Sequence, residues 1–146
     1  MAEVILDKIK STAHIDSVVA KDDLKNGQWL TLGLLDADGE RRLAEKAKTE
    51  DTADVLLVTS FTRYDPNTDF ADYVTKAGQT GRAFHMEKGD VISVTKDLVA
   101  SAKKGDELTI GDDGLGFKKA EGRGIAQIIG EENQGFYGDM FVIAIR

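Results

Sequence analysis

A nine-residue segment occurs twice in this chain with nearly the same sequence. Residues 25–33 read KNGQWLTLG, residues 103–111 read KKGDELTIG, and residues 88–95 form a looser copy, KGDVISVT. Each copy places a glycine in a turn and follows it with a short run in which apolar and polar residues alternate. This pattern is typical of a β-strand that is entered from a tight turn. We therefore predict that Gly27 and Gly105 occupy equivalent turns with a positive backbone φ, which glycine adopts without strain.

Further strands are predicted along the rest of the chain. Regularly spaced glycines in the C-terminal third are typical of short antiparallel strands joined by tight turns. The predicted strands cover residues 26–35, 54–60, 91–95, 107–110, 115–120, 124–130 and 139–146. The two helical candidates are residues 40–50, which are rich in Ala, Glu, Lys and Arg, and residues 69–76. The fold class that follows is mainly β, a small antiparallel β-barrel or sandwich with one or two short helices.

The first 24 residues differ from the remainder because they contain no glycine and mix short apolar runs with polar spacers. Residues 1–24 are predicted to be either a first strand or an N-terminal arm that becomes ordered on a partner, with residues 25–146 forming the β-barrel domain. An arm whose apolar residues alternate with charged ones would lie along an edge strand or a groove of another subunit. The candidate contact residues in this segment are Val4, Ile5, Leu6 and Ile9.

Charge and hydropathy exclude several classes of partner. The formal net charge is −7, which is the wrong sign for a protein that binds a nucleic-acid backbone. No segment approaches the roughly 20 apolar residues of a membrane helix, and the start lacks the apolar core of a signal peptide. We therefore expect no direct nucleic-acid partner and no membrane partner, and we expect the chain to be made in the cytoplasm without export by a standard signal.

Catalytic and metal-binding motifs are not apparent in the sequence. There is no cysteine, and the only two histidines, His14 and His85, lie 71 positions apart. Two histidines and a carboxylate can hold a metal, but no sequence spacing joins these two. Residues 36–40 lack the ligand spacing of a calcium loop, and residues 111–119 match no phosphate-binding loop. We therefore expect no enzymatic activity, no cofactor and no metal, and we interpret His85 as a half-buried strand residue.

Three aromatic residues complete the set of candidate contacts. Trp29 is the only tryptophan, and Phe136 and Tyr137 lie between two glycines in a turn-like context. An aromatic pair on a loop can be a binding anchor, because aromatic residues dominate the energetics of many interfaces. The same pair could instead fold back over an open end of the barrel as a plug, which is the arrangement that we favour.

The order of turns and strands resembles capsid decoration (cement) proteins and head-fibre-base proteins of tailed bacteriophages. The family pattern has a Gly-Asp turn into a strand, an Asp-Gly turn, a strand that ends in alanine, a Gly-(Ile/Val)-Ala strand and a closing valine-rich strand. The segments that carry the resemblance are residues 104–110, 117–120, 124–129 and 139–146, with residues 25–30 and 82–94 in the first part of the chain. Residues 40–76 match no pattern of this family.

The resemblance implies a β-tulip-like fold and a non-enzymatic virion structural protein. Such a protein would bind the outer surface of the phage capsid and stabilise contacts between major capsid subunits. Its partners would be the major capsid protein and further copies of itself, either in a homo-oligomer or as neighbours on the capsid. Many weak contacts repeated over many copies would supply the binding strength. The expected location is the capsid exterior of the virion.

Two other classes of function remain open from the sequence. A small β-barrel nucleotide hydrolase of the deoxyuridine triphosphatase type also uses glycine-rich turns, but it needs a phosphate-holding glycine-rich tail, whereas residues 139–146 are predicted as an apolar strand. A sugar-binding β module would need several exposed aromatic residues, and the chain has only ten Phe, Trp and Tyr residues in total.

Overall fold

The computed structural model describes residues 2–59 and 73–146, and this part of the chain is built mainly from β-strands. The strands are β1 (Val4–Lys8), β2 (Ile15–Val19), β3 (Leu24–Lys25), β4 (Trp29–Leu35), β5 (Arg42–Lys46), β6 (Val55–Leu57), β7 (Val74–Thr75), β8 (Gly81–Phe84), β9 (Val91–Thr95), β10 (Val99–Ala100), β11 (Glu107–Ile110), β12 (Phe117–Lys119), β13 (Ala126–Asn133) and β14 (Asp139–Ile145). Single 3₁₀ turns cover Glu50–Thr52, Lys96–Leu98, Asp112–Gly114 and Gly135–Tyr137. None of the described helical segments has the length and apolar character needed to cross a membrane.

Most of the strands belong to one of two sheets. Strands β2, β5, β4, β6 and β8 close in that order into a five-stranded barrel, and β1, β9, β14, β13, β11, β12 and β10 form a seven-stranded sheet in that order. Strands β3 and β7 pair as a separate two-stranded ribbon. The pairs β2–β5 and β10–β12 are parallel, and the other pairs are antiparallel. The predicted mainly β fold with a small barrel is confirmed, although the barrel closes through a parallel pair.

The barrel wall contributes to two hydrophobic cores. Trp29, Leu56 and Phe84 join the core of the seven-stranded sheet. Leu30 and Leu57, which follow two of these residues directly in sequence, pack in the second core with other barrel residues. Because successive side chains of a strand point to opposite faces, each of these strands supplies both cores. The sheet and the barrel are therefore joined through one face of the barrel wall.

The first 24 residues are divided between the barrel and the seven-stranded sheet. Strand β1 pairs with β9 at one edge of the seven-stranded sheet, with Val4 opposite Val94, and β2 pairs with β8 in the barrel. Val4 is buried in the sheet core, and Leu6 and Ile9 pack against that core. The segment therefore forms strands rather than a detached arm, because its apolar side chains are covered by the chain's own core. The predicted boundary between residues 24 and 25 falls within the two-residue strand β3.

The helix predicted for residues 40–50 is wrong, because residues 42–46 form strand β5. The turn at Asp36–Gly39 is closed by the Gly39 N–H, which donates to the Asp36 carbonyl at 2.9 Å, and it returns the chain along β4. Ala44 lies opposite Leu32 and is buried in the barrel core. Strand pairing and burial outweigh the helical propensity of Ala, Glu and Lys at this position. The first half of the other predicted helix, residues 69–72, lies outside the described residues, and its second half contains strand β7 rather than a helix.

The three copies of the repeated unit fold into the same turn. In each copy the residue after the glycine donates its N–H to the carbonyl three residues earlier. The donors and acceptors are Gln28 and Lys25, Asp90 and Glu87, and Asp106 and Lys103, at 3.0–3.2 Å. The φ angles of Gly27, Gly89 and Gly105 are 91°, 98° and 95°, as the third position of a type II turn requires. The prediction of equivalent positive-φ turns is confirmed.

Each of these turns also docks on a neighbouring strand in the same way. The glycine N–H donates to the carbonyl of one apolar residue, and the N–H of that residue donates to the carbonyl of the residue after the glycine. The apolar partners are Leu57 for Gly27, Ile145 for Gly89 and Ile128 for Gly105, with N···O distances of 2.8–3.1 Å. The sequence repeat is therefore a repeated unit of tertiary structure, because each copy makes the same pair of lateral hydrogen bonds.

Candidate docking surface

The apolar residues of the N-terminal segment that were predicted to contact a partner pack largely within the fold. Val4 is only 4% exposed, and Leu6 and Ile9 are partly buried against the same core. Ile5 is half-buried on β1, where it lies opposite Ser93. Val4 is therefore a core residue rather than a contact residue, since a partner cannot reach it while β1 remains paired with β9.

The three aromatic candidates have three different environments. Trp29 is 4% exposed, and its ring packs edge to face on Phe117 with the ring centroids 5.8 Å apart. Phe136 is 69% exposed, and its centroid lies 5.3 Å from that of Tyr137. Burial, and secondly the nearby charge of Glu3, raise the pKa of the half-buried Tyr137. Trp29 is thus a core residue, Tyr137 is partly covered, and Phe136 remains accessible.

The two most exposed large aliphatic side chains of the described residues, Leu34 and Leu35, lie on the hairpin formed by β4 and β5, which also carries the exposed Leu43. Leu34 is 81% exposed, Leu35 is 58% exposed and Leu43 is 42% exposed. A β-bulge between Leu32 and Leu35 places Leu43 opposite Gly33 and Leu34. We call these three exposed leucines the hairpin surface. Sequence reasoning missed them, although two adjacent leucines before a turn are a usable signal, because neighbouring strand residues cannot both face one core.

Arg41 holds the tip of this hairpin in place. Its Nε lies 2.7 Å from the Asp38 carboxylate and its Nη2 lies 2.8 Å from the Asp36 carboxylate. Its Nη1 donates to the Gly78 carbonyl at 3.2 Å and to the Thr80 hydroxyl at 3.3 Å. Backbone N–H groups of the turn, and then the guanidinium, lower the pKa of Asp38. The leucines are therefore presented by a braced hairpin, and a preordered surface loses less conformational entropy on binding.

A groove of about 810 Å³ runs alongside β5, next to the hairpin surface. Its lining includes the buried apolar residues Val19, Leu24, Ala44 and Ala47 and the exposed charged residues Lys21, Asp22, Glu45, Lys46 and Lys48. Strand β2 pairs with β5 only at Arg42 and Leu43. From Ala44 onward, the described part of the chain therefore places no second strand on that side of β5. An open strand edge beside a groove is a surface to which an extended segment of another chain can add.

The two histidines meet where β2 begins and β8 ends. The Nε2 atom of His85 lies 2.6 Å from Oδ2 of Asp16, and Nε2 of His14 lies 3.9 Å from the same oxygen. The two imidazole centroids are 4.5 Å apart. His85 is half-buried, as predicted, but it follows the last residue of β8 and is therefore not a strand residue. It is also not isolated from His14. The antiparallel pairing of β2 with β8 joins residues that the sequence places 71 positions apart.

Comparison with known proteins bears on the fold as a whole. No protein-family model matches the chain, and no curated protein matches it in sequence. Among solved structures, the chain is similar to the head fibre gp8.5 N base of bacteriophage phi29, with a TM-score of 0.57 and 15% sequence identity. The similarity covers 92% of this chain and 95% of that chain. At this identity the likeness shows a shared fold, which includes both the barrel and the seven-stranded sheet.

Proposed function

We propose that this chain is a non-enzymatic structural protein of a phage virion that binds the outer surface of the capsid. The observation that carries the proposal is the fold similarity, over 92% of the chain, to a head fibre base of a bacteriophage. A match over nearly the whole of both chains involves the complete arrangement of barrel and sheet rather than a common motif. The proposed role is to stabilise contacts between neighbouring major capsid subunits, with many copies acting together.

The hairpin surface is the proposed contact with the capsid. Leu34, Leu35 and Leu43 are exposed apolar side chains on a braced hairpin, and burying them against a partner removes apolar area from water. The groove beside β5 adds an open strand edge to the same region. Phe136 is a second exposed apolar side chain, and it is the alternative contact that an experiment must separate from the hairpin.

Co-sedimentation with phage heads tests the proposal directly. The purified chain is mixed with undecorated heads of the phage that carries its gene, and the heads are pelleted. We expect saturable co-pelleting with a fixed number of copies per capsid subunit, and no pelleting with heads of an unrelated phage. Absence of the chain from the pellet, together with its absence from purified virions by mass spectrometry, would contradict the proposal.

Substitutions in the two exposed apolar regions locate the contact. The double substitution Leu34→Asn and Leu35→Asn is expected to weaken co-pelleting at least about tenfold, since burial of each leucine contributes on the order of 1.5 kcal/mol or more. Its thermal unfolding should change little, because both side chains are exposed in the free protein. Ile129→Asn is the matched control, since Ile129 is 46% exposed on β13 of the other sheet.

Phe136→Ala separates the two contact hypotheses. If this variant loses binding while the hairpin variant pellets normally, the turn at residues 135–137 is the contact and the hairpin assignment is wrong. Neither the nucleotide hydrolase nor the sugar-binding module is favoured by a specific contact among the described residues, and both stay hypotheses from the sequence.

A further inference from the structure

His14, Asp16 and His85 bring three metal-ligating side chains together at one end of the β2–β8 pair. One ligand atom from each residue lies within 4.8 Å of the other two. In a tetrahedral zinc site with bonds of about 2.0–2.1 Å, the ligand atoms are about 3.3 Å apart. Asp16 Oδ2 lies 2.6 Å from His85 Nε2 and 3.9 Å from His14 Nε2, so the two distances lie on either side of that value. Because the three ligand atoms lie within 4.8 Å of one another, each distance between them needs to change by only about 1.5 Å or less for all three to bind one ion.

We propose that these three residues form a binding site for a divalent transition metal ion of the zinc class. Two imidazole nitrogens and one carboxylate oxygen suit Zn²⁺ and its neighbours, whereas Mg²⁺ and Ca²⁺ require mostly oxygen ligands. Three protein ligands leave a further coordination position for water. The His14 side chain is 68% exposed, so an ion reaches the site from solvent without opening the fold.

The backbone holds the ligands in register before any ion arrives. Asp16 lies opposite Ala83 in the β2–β8 pair, and the neighbouring pair toward the histidines is Ile15 with Phe84. The His85 N–H donates to the His14 carbonyl at 3.0 Å, which ties the two histidine backbones directly. The Asp16 side chain is only 17% exposed. Its Oδ2 atom already lies within hydrogen-bond distance of His85 Nε2. An ion at this site would replace that contact and link β2 to β8.

Titration of the full chain with metal tests the site. The protein is dialysed against a chelator, and ZnCl₂ and MgCl₂ are added in separate calorimetric titrations. We expect one zinc ion bound per chain and no heat from magnesium. At saturating zinc the melting temperature should rise by at least about 3 °C, because an ion that binds the folded state alone stabilises it. A folded chain that binds no zinc, or binds magnesium equally well, would overturn the proposal.

Variants assign the ligands. His14→Gln, Asp16→Asn and His85→Gln should each weaken zinc binding at least about tenfold, because each removes one direct ligand. Glu87→Gln is the matched control: it removes a nearby carboxylate that lies 3.0 Å from Lys10 and outside the three-residue cluster. It should change the affinity by no more than about threefold, as expected for a partly exposed charge.

The visible absorption of bound Co²⁺ provides a second test of the ligand set, in case one of the variants is too unstable for calorimetry. Co²⁺ bound by the wild-type chain should give visible absorption bands of a low-coordinate site, and His14→Gln should abolish them. His14 is mostly exposed, so this variant is expected to remain folded. Unchanged cobalt bands or unchanged zinc affinity in the His14→Gln variant would show that the ligand set is wrong.

Discussion

The turns at residues 25–28 and 103–106 have the same backbone conformation and different surroundings. A Cβ atom added to Gly27 would lie 2.7 Å from Leu98 Cδ1, whereas a Cβ added to Gly105 would meet no atom within 4 Å. The first turn is enclosed between the barrel and the sheet, and the second is at the surface. One local sequence pattern thus serves once as a junction and once as an ordinary turn, so the pattern specifies the backbone but not the burial.

The side chains of the two turns differ in the same sense. Asn26 donates to the Thr59 carbonyl at 3.1 Å and accepts from the Thr59 N–H at 2.9 Å, and Gln28 donates to the Asp113 carbonyl at 2.8 Å. In the second turn Asp106 instead accepts from the N–H of the first residue of its own turn, at 3.0 Å. The side chains of Asn26 and Gln28 in the buried copy therefore connect separate parts of the chain, whereas the Asp106 side chain accepts this hydrogen bond from its own turn.

The largest expected effect comes from alanine at the two glycines. Gly27→Ala should lower the free energy of unfolding by about 2–5 kcal/mol, because a positive-φ penalty of about 1–2 kcal/mol adds to an overpacking penalty against Leu98. Gly105→Ala should cost only about 1–2 kcal/mol from the φ penalty. Urea unfolding of both variants measures the difference. Equal losses would show that burial of the first turn adds no steric constraint.

The second residue of each turn gives the next largest difference. Asn26→Ala should cost about 1–3 kcal/mol, because it leaves the partly buried N–H and carbonyl of Thr59 without their side-chain partner. Lys104→Ala, at the equivalent position, should stay within about 0.5 kcal/mol because the side chain is exposed. Chemical denaturation measures both values. If Asn26→Ala lowers the free energy of unfolding as little as Lys104→Ala does, the Asn26 side chain does not stabilise the buried turn.

A smaller effect is expected from the cap of the exposed turn. Asp106→Ala should cost about 0.5–1.5 kcal/mol, the range of one hydrogen bond between a side chain and the backbone. The effect should be confined to the turn, so hydrogen exchange is expected to accelerate at the Lys103 amide and to stay unchanged at the Gln28 amide. Faster exchange at both amides would indicate that the two turns open together.

The smallest effect concerns Glu3, which borders the buried turn through Asn26. Burial raises the pKa of Glu3, opposed by hydrogen bonds from the Val4 N–H and the Asn26 side chain. The folded chain therefore binds this proton more tightly than the unfolded chain. Stability gained from that protonation is lost as the pH rises from the ordinary carboxyl value of 4.5 through the raised pKa.

Glu3→Gln tests this pH dependence. The amide oxygen can still accept both hydrogen bonds, but no charge is buried, so the variant should be slightly more stable than the wild type at pH 7. The advantage should shrink as the pH falls toward 4, and urea midpoints across this range measure it. A constant difference between the two proteins would show that Glu3 does not titrate differently in the folded state.

Two strand predictions are accurate at both ends, and both of these strands follow a glycine turn. Residues 91–95 and 107–110 match β9 and β11 at both ends, because a type II turn sets where each strand begins. The helix prediction for residues 40–50 was wrong because their composition favours a helix in isolation, whereas the hairpin at Asp36–Gly39 pairs residues 42–46 with β4. The candidate contacts Val4 and Trp29 illustrate a related limit: an apolar residue indicates burial, and the sequence does not say against what.

Local sequence alone determined the three positive-φ turns, the alternating strands that follow them and the mainly β fold class. These features depend on backbone angles set by residues within a few positions of one another. The tertiary structure decided which copy of the turn is buried against Leu98 and how His14 and His85 meet at Asp16. Each of those contacts depends on the order and register of strands distant in sequence, which no local pattern in this chain encodes.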